Sequence, residues 1–362
     1  MKKLSIIAST LVLSCAAYAA NNVDEAFKNG KVSGDVSVHH QSENKTAGTN
    51  DSGFTAGSIG LNYETDSLNG FKLNAGFRAN HEFSEKEAGD YEGEFENDAV
   101  INTANIEYSN DFLTVKVGRQ EIDLEWLGDF NEAVVISSSK LIPNTTLVAG
   151  YTTRQAAVGV DENKKFADVT KDGAYVIDAK FNGIENVMLN PYYYSAEDVA
   201  NFYGLKATYE TDVFGVTAHY ATSSEKVAGQ EDGSIAHLEA STKIAGLSLA
   251  AGYITTDKDA GVASISAFGD NIDPTEELGD YVYAKDTNTV YATAGYTISD
   301  VELSALYAIA DNDSSNKEDK ELTIAAAYSF TENLAADITY TDLSLESNND
   351  KSKVAVNLAY SF

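Results

Sequence analysis

Lys353-Val-Ala-Val-Asn-Leu-Ala-Tyr-Ser-Phe362 closes the chain, and its reading decides the fold class. Val354, Val356, Leu358, Tyr360 and Phe362 share one face of an extended strand, because side chains alternate with a period of two. Lys353, Ala355, Asn357, Ala359 and Ser361 share the other face. The apolar face ends in two aromatics, and the second is the final residue. A half-buried strand of a soluble sandwich could carry the alternation. A closing strand of a transmembrane barrel explains the aromatic end as well, since such strands face lipid and finish in an interfacial girdle.

Working back from that strand, the same pattern recurs. Leu322-x-Ile324-x-Ala326-x-Tyr328, Val290-x-Ala292-x-Ala294-x-Tyr296, Leu247-x-Leu249-x-Ala251-x-Tyr253 and Phe71-x-Leu73-x-Ala75-x-Phe77 all alternate strictly. This periodicity predicts half-buried strands and excludes helices. Eighteen such segments are expected, near 31–40, 54–65, 71–83, 99–109, 111–119, 132–141, 145–153, 174–183, 186–195, 199–210, 212–222, 234–244, 246–256, 288–298, 300–310, 320–330, 333–346 and 351–362, with sixteen as the alternative count. Short connections alternate with long ones throughout. The fold class is therefore all-β: a transmembrane antiparallel β-barrel of about 18 strands, with short periplasmic turns and long external loops. An even count leaves both termini in the periplasm. Sixteen to eighteen strands enclose a water-filled channel.

Composition agrees. The 362 residues include 21 Tyr, 15 Phe and 26 Gly but only 3 Pro and 1 Trp. Charged residues make up 22% of the chain, and the mean hydropathy is -0.25. Lys2 and Lys3 precede an apolar run, Leu4 to Leu13, and Ala17-Tyr18-Ala19 is a small-x-small cleavage site. Residues 1–19 therefore read as a secretory signal. A short periplasmic segment, 20–30, and a barrel, 31–362, follow. Val12-Leu-Ser-Cys15 also resembles a lipoprotein box, so lipidation at Cys15 stays open. Cleavage at Ala19 would leave a cysteine-free mature chain. The net charge is -31, which excludes nucleic acid as a partner. The expected partners are small hydrophilic solutes and ions, outer-membrane lipid and lipopolysaccharide, and the barrel assembly machinery, for which Tyr360 and Phe362 form the terminal signal. Monomer and homotrimer both stay open.

Gln120 to Glu132 carries Glu121, Asp123, Glu125, Asp129 and Glu132 without a base, together with the sole tryptophan, Trp126. An apolar cluster inside an acidic loop predicts that the loop folds inward and narrows the pore. Its carboxylates would then favour cations. Ser84 to Asp98 and Thr256 to Thr287 hold seven and eight acids respectively; they are expected at the mouth or surface, although Thr256–Thr287 stays open as an alternative constriction. Arg78, Arg119 and Arg154 are the only arginines. With Lys116 they are expected on the inner wall, either steering carboxylates or paired with inward acids such as Glu64 and Glu107. Asp311-Asn-Asp313 lacks the sixth-position glycine and twelfth-position acid of an EF-hand. The five histidines show no metal spacing apart from the adjacent His39 and His40. No catalytic set, metal or cofactor is expected.

Asn29-Gly-Lys-Val-Ser-Gly34 before the first strand, Val117-Gly-Arg-Gln120 at the fifth, and Leu141-Ile-Pro-Asn144 turning into Thr146-Leu-Val-Ala-Gly150 resemble OprD-type outer-membrane porins, in the version of campylobacter-like bacteria. The resemblance implies an eighteen-stranded channel for small solutes in the outer membrane of a Gram-negative bacterium. It implies Gln120–Glu132 as the constriction loop and Arg78, Lys116, Arg119 and Arg154 as a basic ladder. Few arginines are present, and lysine lacks the fork that holds a carboxylate with two bonds. A general, cation-leaning pore is as well supported as a substrate-specific one. The other reading is a surface barrel serving adhesion or envelope integrity.

Overall fold

The computed structural model describes residues 20–46, 50–266, 268–269, 271–346 and 349–362. The expected signal segment and Cys15 lie outside them. After a short helix α1 (Val23–Lys28), the described residues form strands β1 (Lys31–Lys45), β2 (Ser52–Glu64), β3 (Phe71–Glu85), β4 (Ala99–Ser109), β5 (Thr114–Glu121), β6 (Phe130–Ile142), β7 (Thr145–Ala156), a two-residue β8 (Ala167–Asp168), β9 (Ala174–Ile184), β10 (Val187–Ala196), β11 (Ala200–Glu210), β12 (Phe214–Glu225), β13 (Ser234–Ile244), β14 (Leu247–Thr256), β15 (Thr287–Ile298), β16 (Val301–Asn312), β17 (Lys317–Ser329), β18 (Leu334–Ser344) and β19 (Lys351–Ser361). Three short helices sit in loops: α2 (Asp90–Glu94), α3 (Ala263–Ser266) and α4 (Asp280–Tyr283).

Apart from β8, these are the eighteen expected strands, each paired antiparallel with its neighbours in one continuous sheet. β8 only extends the end of β7, while β7 pairs directly with β9. The sheet closes where β1 meets β19. Val36 lies opposite Tyr360 and Val38 opposite Leu358. At the seam's end, Gly34 and Phe362 exchange both backbone bonds at 3.0 Å. Among the described residues no wall strand keeps a free edge to template another chain.

The side-chain distribution is inverted relative to a soluble domain. Ile106, Ile177 and Leu238 are more than half exposed, while Asn105, Asp178 and Thr323 are buried. The first set faces outward along its strands and the second inward. One end of the barrel is made of tight turns. Asn69–Gly70 and Ala245–Gly246 take positive φ at both positions, the backbone that matches the twist of a two-residue hairpin. The other end carries the long loops. Ser84–Asp98, expected at the mouth or surface, folds into the mouth. Its Tyr91 and Phe95 are buried on Phe54 at centroid distances of 6.0 and 5.5 Å, because a loop with two aromatics gains more by folding into the mouth than by staying in water.

Deleting Phe362 removes the last two backbone bonds of the seam. The expected outcome is a marked loss of folded barrel, read as the fraction of heat-modifiable band on a semi-native gel. The channels that do form should conduct like the parent.

Candidate functional site

β5 is the shortest strand of the barrel wall, and the chain leaves it toward the interior. Ile122 N–H donates to Asp129 O and Leu124 N–H to Leu127 O, both at 2.9 Å. These bonds make a narrow hairpin, with Asp129 at φ +59° re-entering β6. Ile122, Leu124, Trp126 and Leu127 are buried, whereas Glu121, Asp123 and Asp129 are exposed. The apolar residues pull the hairpin inward because the lumen-side wall offers them cover. Trp126 is completely buried. Its indole N–H donates to the Tyr192 hydroxyl at 2.8 Å and its backbone N–H to Tyr194 at 3.3 Å. Tyr192 in turn meets His219 Nε2 at 2.6 Å. Beside it, the buried Glu125 accepts from Lys206 Nζ at 2.8 Å. Tyr192, Lys206 and His219 sit on β10, β11 and β12, four to six strands round the barrel from β5. The hairpin therefore crosses the interior as a chord.

A second loop, 257–286, joins it there. Its many acids predict a place at the mouth or surface. The structure instead folds it inward, and Val262, Ile265, Ile272, Leu278, Val282 and Tyr283 are buried in one cluster with Trp126. The Trp126 and Tyr283 rings meet edge-on at 6.1 Å. The loops are bonded directly: Gly128 N–H donates to Phe268 O and Asn271 Nδ2 to Leu124 O, each at 3.0 Å. Gln155 on β7 ties the carbonyls of Gly128 and Phe268 together at 2.8 and 2.7 Å. Across the lumen, the fully buried Glu321 of β17 accepts the backbone N–H groups of Glu276, Glu277 and Leu278 at 2.8, 2.8 and 3.0 Å. Glu277 accepts from Lys351 at 2.7 Å and Lys353 at 2.9 Å, both on β19. Burial opposes the charge of Glu277, but Lys353 and Lys351 together hold its carboxyl below the usual range. The two loops thus bridge the interior from β10–β12 to β17–β19. The signal that sequence reasoning missed is the run of apolar residues among the acids of this loop, the same signal that marks the hairpin at Trp126.

The expected basic wall is not one column. Arg78 faces inward and grips Asp35 with both terminal nitrogens, at 2.6 and 3.0 Å, with Ser58 at 2.6 Å. Lys116 also faces inward, 3.4 Å from Glu107. Arg119 and Arg154 do not. The β5–β6 register sets Arg119 against Glu132 and Val117 against Val134. Both valines are exposed on the outer face, so residues two further along share it. Arg154 lies opposite Glu132 from the other side. Glu132 is consequently an outer-face residue of β6, not part of the inward hairpin, and it receives Arg119 at 2.8 Å and Arg154 at 3.4 Å. The Arg119 guanidinium also stacks 4.2 Å over Phe166 and donates to Ile101 O at 2.7 Å. This cluster ties the loop after β7 onto the wall where β5 stops short.

A β-barrel spanned by two inward loops matches a known family by sequence as well. The family model described as Gram-negative porin covers residues 5–350. The chain belongs to this family. No curated protein matches the sequence. Among solved structures, OccAB2 of Acinetobacter baumannii is similar at 13% identity, a TM-score of 0.78, and coverage of 93% of this chain and 99% of that one. OpdQ of Pseudomonas aeruginosa is similar at 14% identity and a TM-score of 0.75, covering 94% and 99%. A BenF-like porin of Pseudomonas fluorescens shows 13% identity and a TM-score of 0.76, covering 93% and 99%. At such identities the likeness establishes the fold, the eighteen-stranded OprD-type barrel. The porin is an outer-membrane channel rather than an enzyme. Its tight-turn end is the periplasmic one and its long loops are external.

Two outcomes follow for the loop anchors. Tyr192→Phe leaves the Trp126 N–H and His219 without their shared hydroxyl, which costs about 1–3 kcal/mol; chemical unfolding in detergent measures it. Acid weakens the Glu277 clamp. Its folded value lies below the unfolded one, so its stabilisation is complete at neutral pH and disappears as pH falls through that lowered value. Limited proteolysis of loop 257–286 should accelerate at acidic pH in the parent. Glu277→Gln should be cut readily already at neutral pH.

Proposed function

We propose that this porin passes ions and small hydrophilic solutes by passive diffusion, with a preference for cations set at the inward hairpin. One observation carries the reading. Asp123 is exposed on that hairpin and takes part in no ion pair among the described residues, whereas five inward bases, Arg78, Lys116, Lys206, Lys351 and Lys353, are each engaged by a carboxylate; Lys180 on β9 faces inward without an ion pair among the described residues, and Glu121 ends β5 on the outer phase of Arg119. Fixed negative charge beside a narrow aqueous path between low-dielectric walls raises the local cation concentration. Paired bases contribute little opposing field. The hairpin and loop 257–286 together act as the constriction, the first supplying the charge and the second bracing it against the far wall.

The extent to which these two loops occupy the lumen favours one other reading, a barrel that mainly supports surface structure. Planar-bilayer recording separates the two. Stable open steps are expected, and a non-conducting barrel would overturn the channel reading. Under a salt gradient the reversal potential should report cation preference. Asp123→Asn should move the permeability ratio toward unity at nearly unchanged conductance in high salt, and Glu121→Gln, on the outer phase of β5, should leave it unchanged. An anion-selective parent pore would sink the proposed role of the hairpin.

A further inference from the structure

α1 presents two apolar side chains that the rest of the fold leaves uncovered. Val23 is 57% and Phe27 49% exposed, and their spacing of four places them on one helical face. The helix is firmly held. The Asn22 side chain caps it by accepting the Glu25 N–H at 2.9 Å. Its buried Ala26 turns toward the barrel, where the Ala26 carbonyl accepts from Asp66 N–H at 2.9 Å and Ala20 N–H donates to Ser67 O at 2.9 Å. The Tyr63 hydroxyl donates to the Phe27 carbonyl. The exposed pair is thus fixed in direction, and that direction is outward. Phe27 stacks on Tyr63 at 6.4 Å with 21° between the planes. Tyr63 shares the outward phase of β2 with Ile59 and lies opposite Val32, both lipid-facing. Close by on the periplasmic rim stand the outward aromatics Phe71, Tyr360 and Phe362. Phe27 therefore continues the aromatic girdle one step beyond the last strand, and Lys28 follows it in the exposed final turn.

We propose that α1 is an interfacial anchor that lies in the headgroup layer of the periplasmic leaflet, with Val23 and Phe27 inserted among the upper methylenes of the phospholipid acyl chains. Continuity with the girdle identifies the occupant as lipid. A short helix with one apolar face is suited to lie in the interface plane rather than to cross it, and an aromatic at the boundary satisfies both of its sides. The anchor sits immediately before β1, the strand that closes the barrel, so it steadies the start of the seam against the membrane.

Tryptophan fluorescence in vesicles of phosphatidylethanolamine and phosphatidylglycerol, brominated at shallow or deep acyl positions, tests this on the full chain. The parent, whose Trp126 is buried inside the barrel, supplies the background. Phe27→Trp should add blue-shifted emission that shallow bromine quenches more strongly than deep bromine. Val23→Trp, an independent probe of the same face, should behave alike, and Lys28→Trp, turned away, should be quenched less. Red-shifted emission that bromine does not quench would overturn the proposal. So would equal quenching of all three variants, or shielding that depends on protein density and not on bromine, which would assign the face to a second copy.

Discussion

Backbone amides in hydrocarbon have no water to bond with, and every other feature of this porin depends on that constraint. Eighteen antiparallel strands satisfy it only if the first meets the last. The meeting point is the double bond between Gly34 and Phe362, reinforced by the register of β1 on β19. Once the cylinder is closed, the outward face is free to be apolar and the inward face must be polar. The inversion of exposed isoleucines and leucines against buried asparagines and threonines follows without further assumption.

A polar lumen would not by itself hold loops in place. Here apolar loop residues build a core inside the channel, centred on Trp126 and Tyr283, and wall side chains supply the polar anchors. The anchors are of two chemical kinds. Glu321 uses a buried carboxylate to gather three successive backbone N–H groups of loop 257–286, which satisfies donors that folding would otherwise leave unpaired. Glu125 and Glu277 instead reach from the loops to lysines on the wall. Breaking one side of such a partly buried pair strands the other, so these contacts make the loop positions specific rather than merely stable. The hairpin and the second loop also brace each other through Gly128 and Phe268.

Much of the fold is legible in the amino-acid sequence. Alternation identifies the eighteen wall strands, because a one-residue slip would move every side chain to the wrong face. The inward course of the hairpin at Trp126 is legible for a similar reason: apolar residues in an acidic loop need cover. Loop 257–286 carries the same signal in Val262, Ile265, Leu278 and Val282, but its acids point the other way, toward the surface. Parity explains the misplaced arginines. Lys116 and Arg119 are three apart, so one regular strand cannot point both inward. Register with Val117 and Val134 settles which one faces out.

The sequence by itself determined the class of architecture, the sidedness of the turns and the apolar band, and it favoured eighteen wall strands over sixteen. These are local consequences of a period of two repeated over short distances. Only the tertiary structure decided what the lumen contains. The partners of Trp126, Glu277 and Glu321 lie many strands away or far along the chain, and one-dimensional patterning holds no record of which wall a loop will reach. Charge pairing has the same origin: whether Arg78 stands free or is held by Asp35 depends on β1 and β3 both flanking β2.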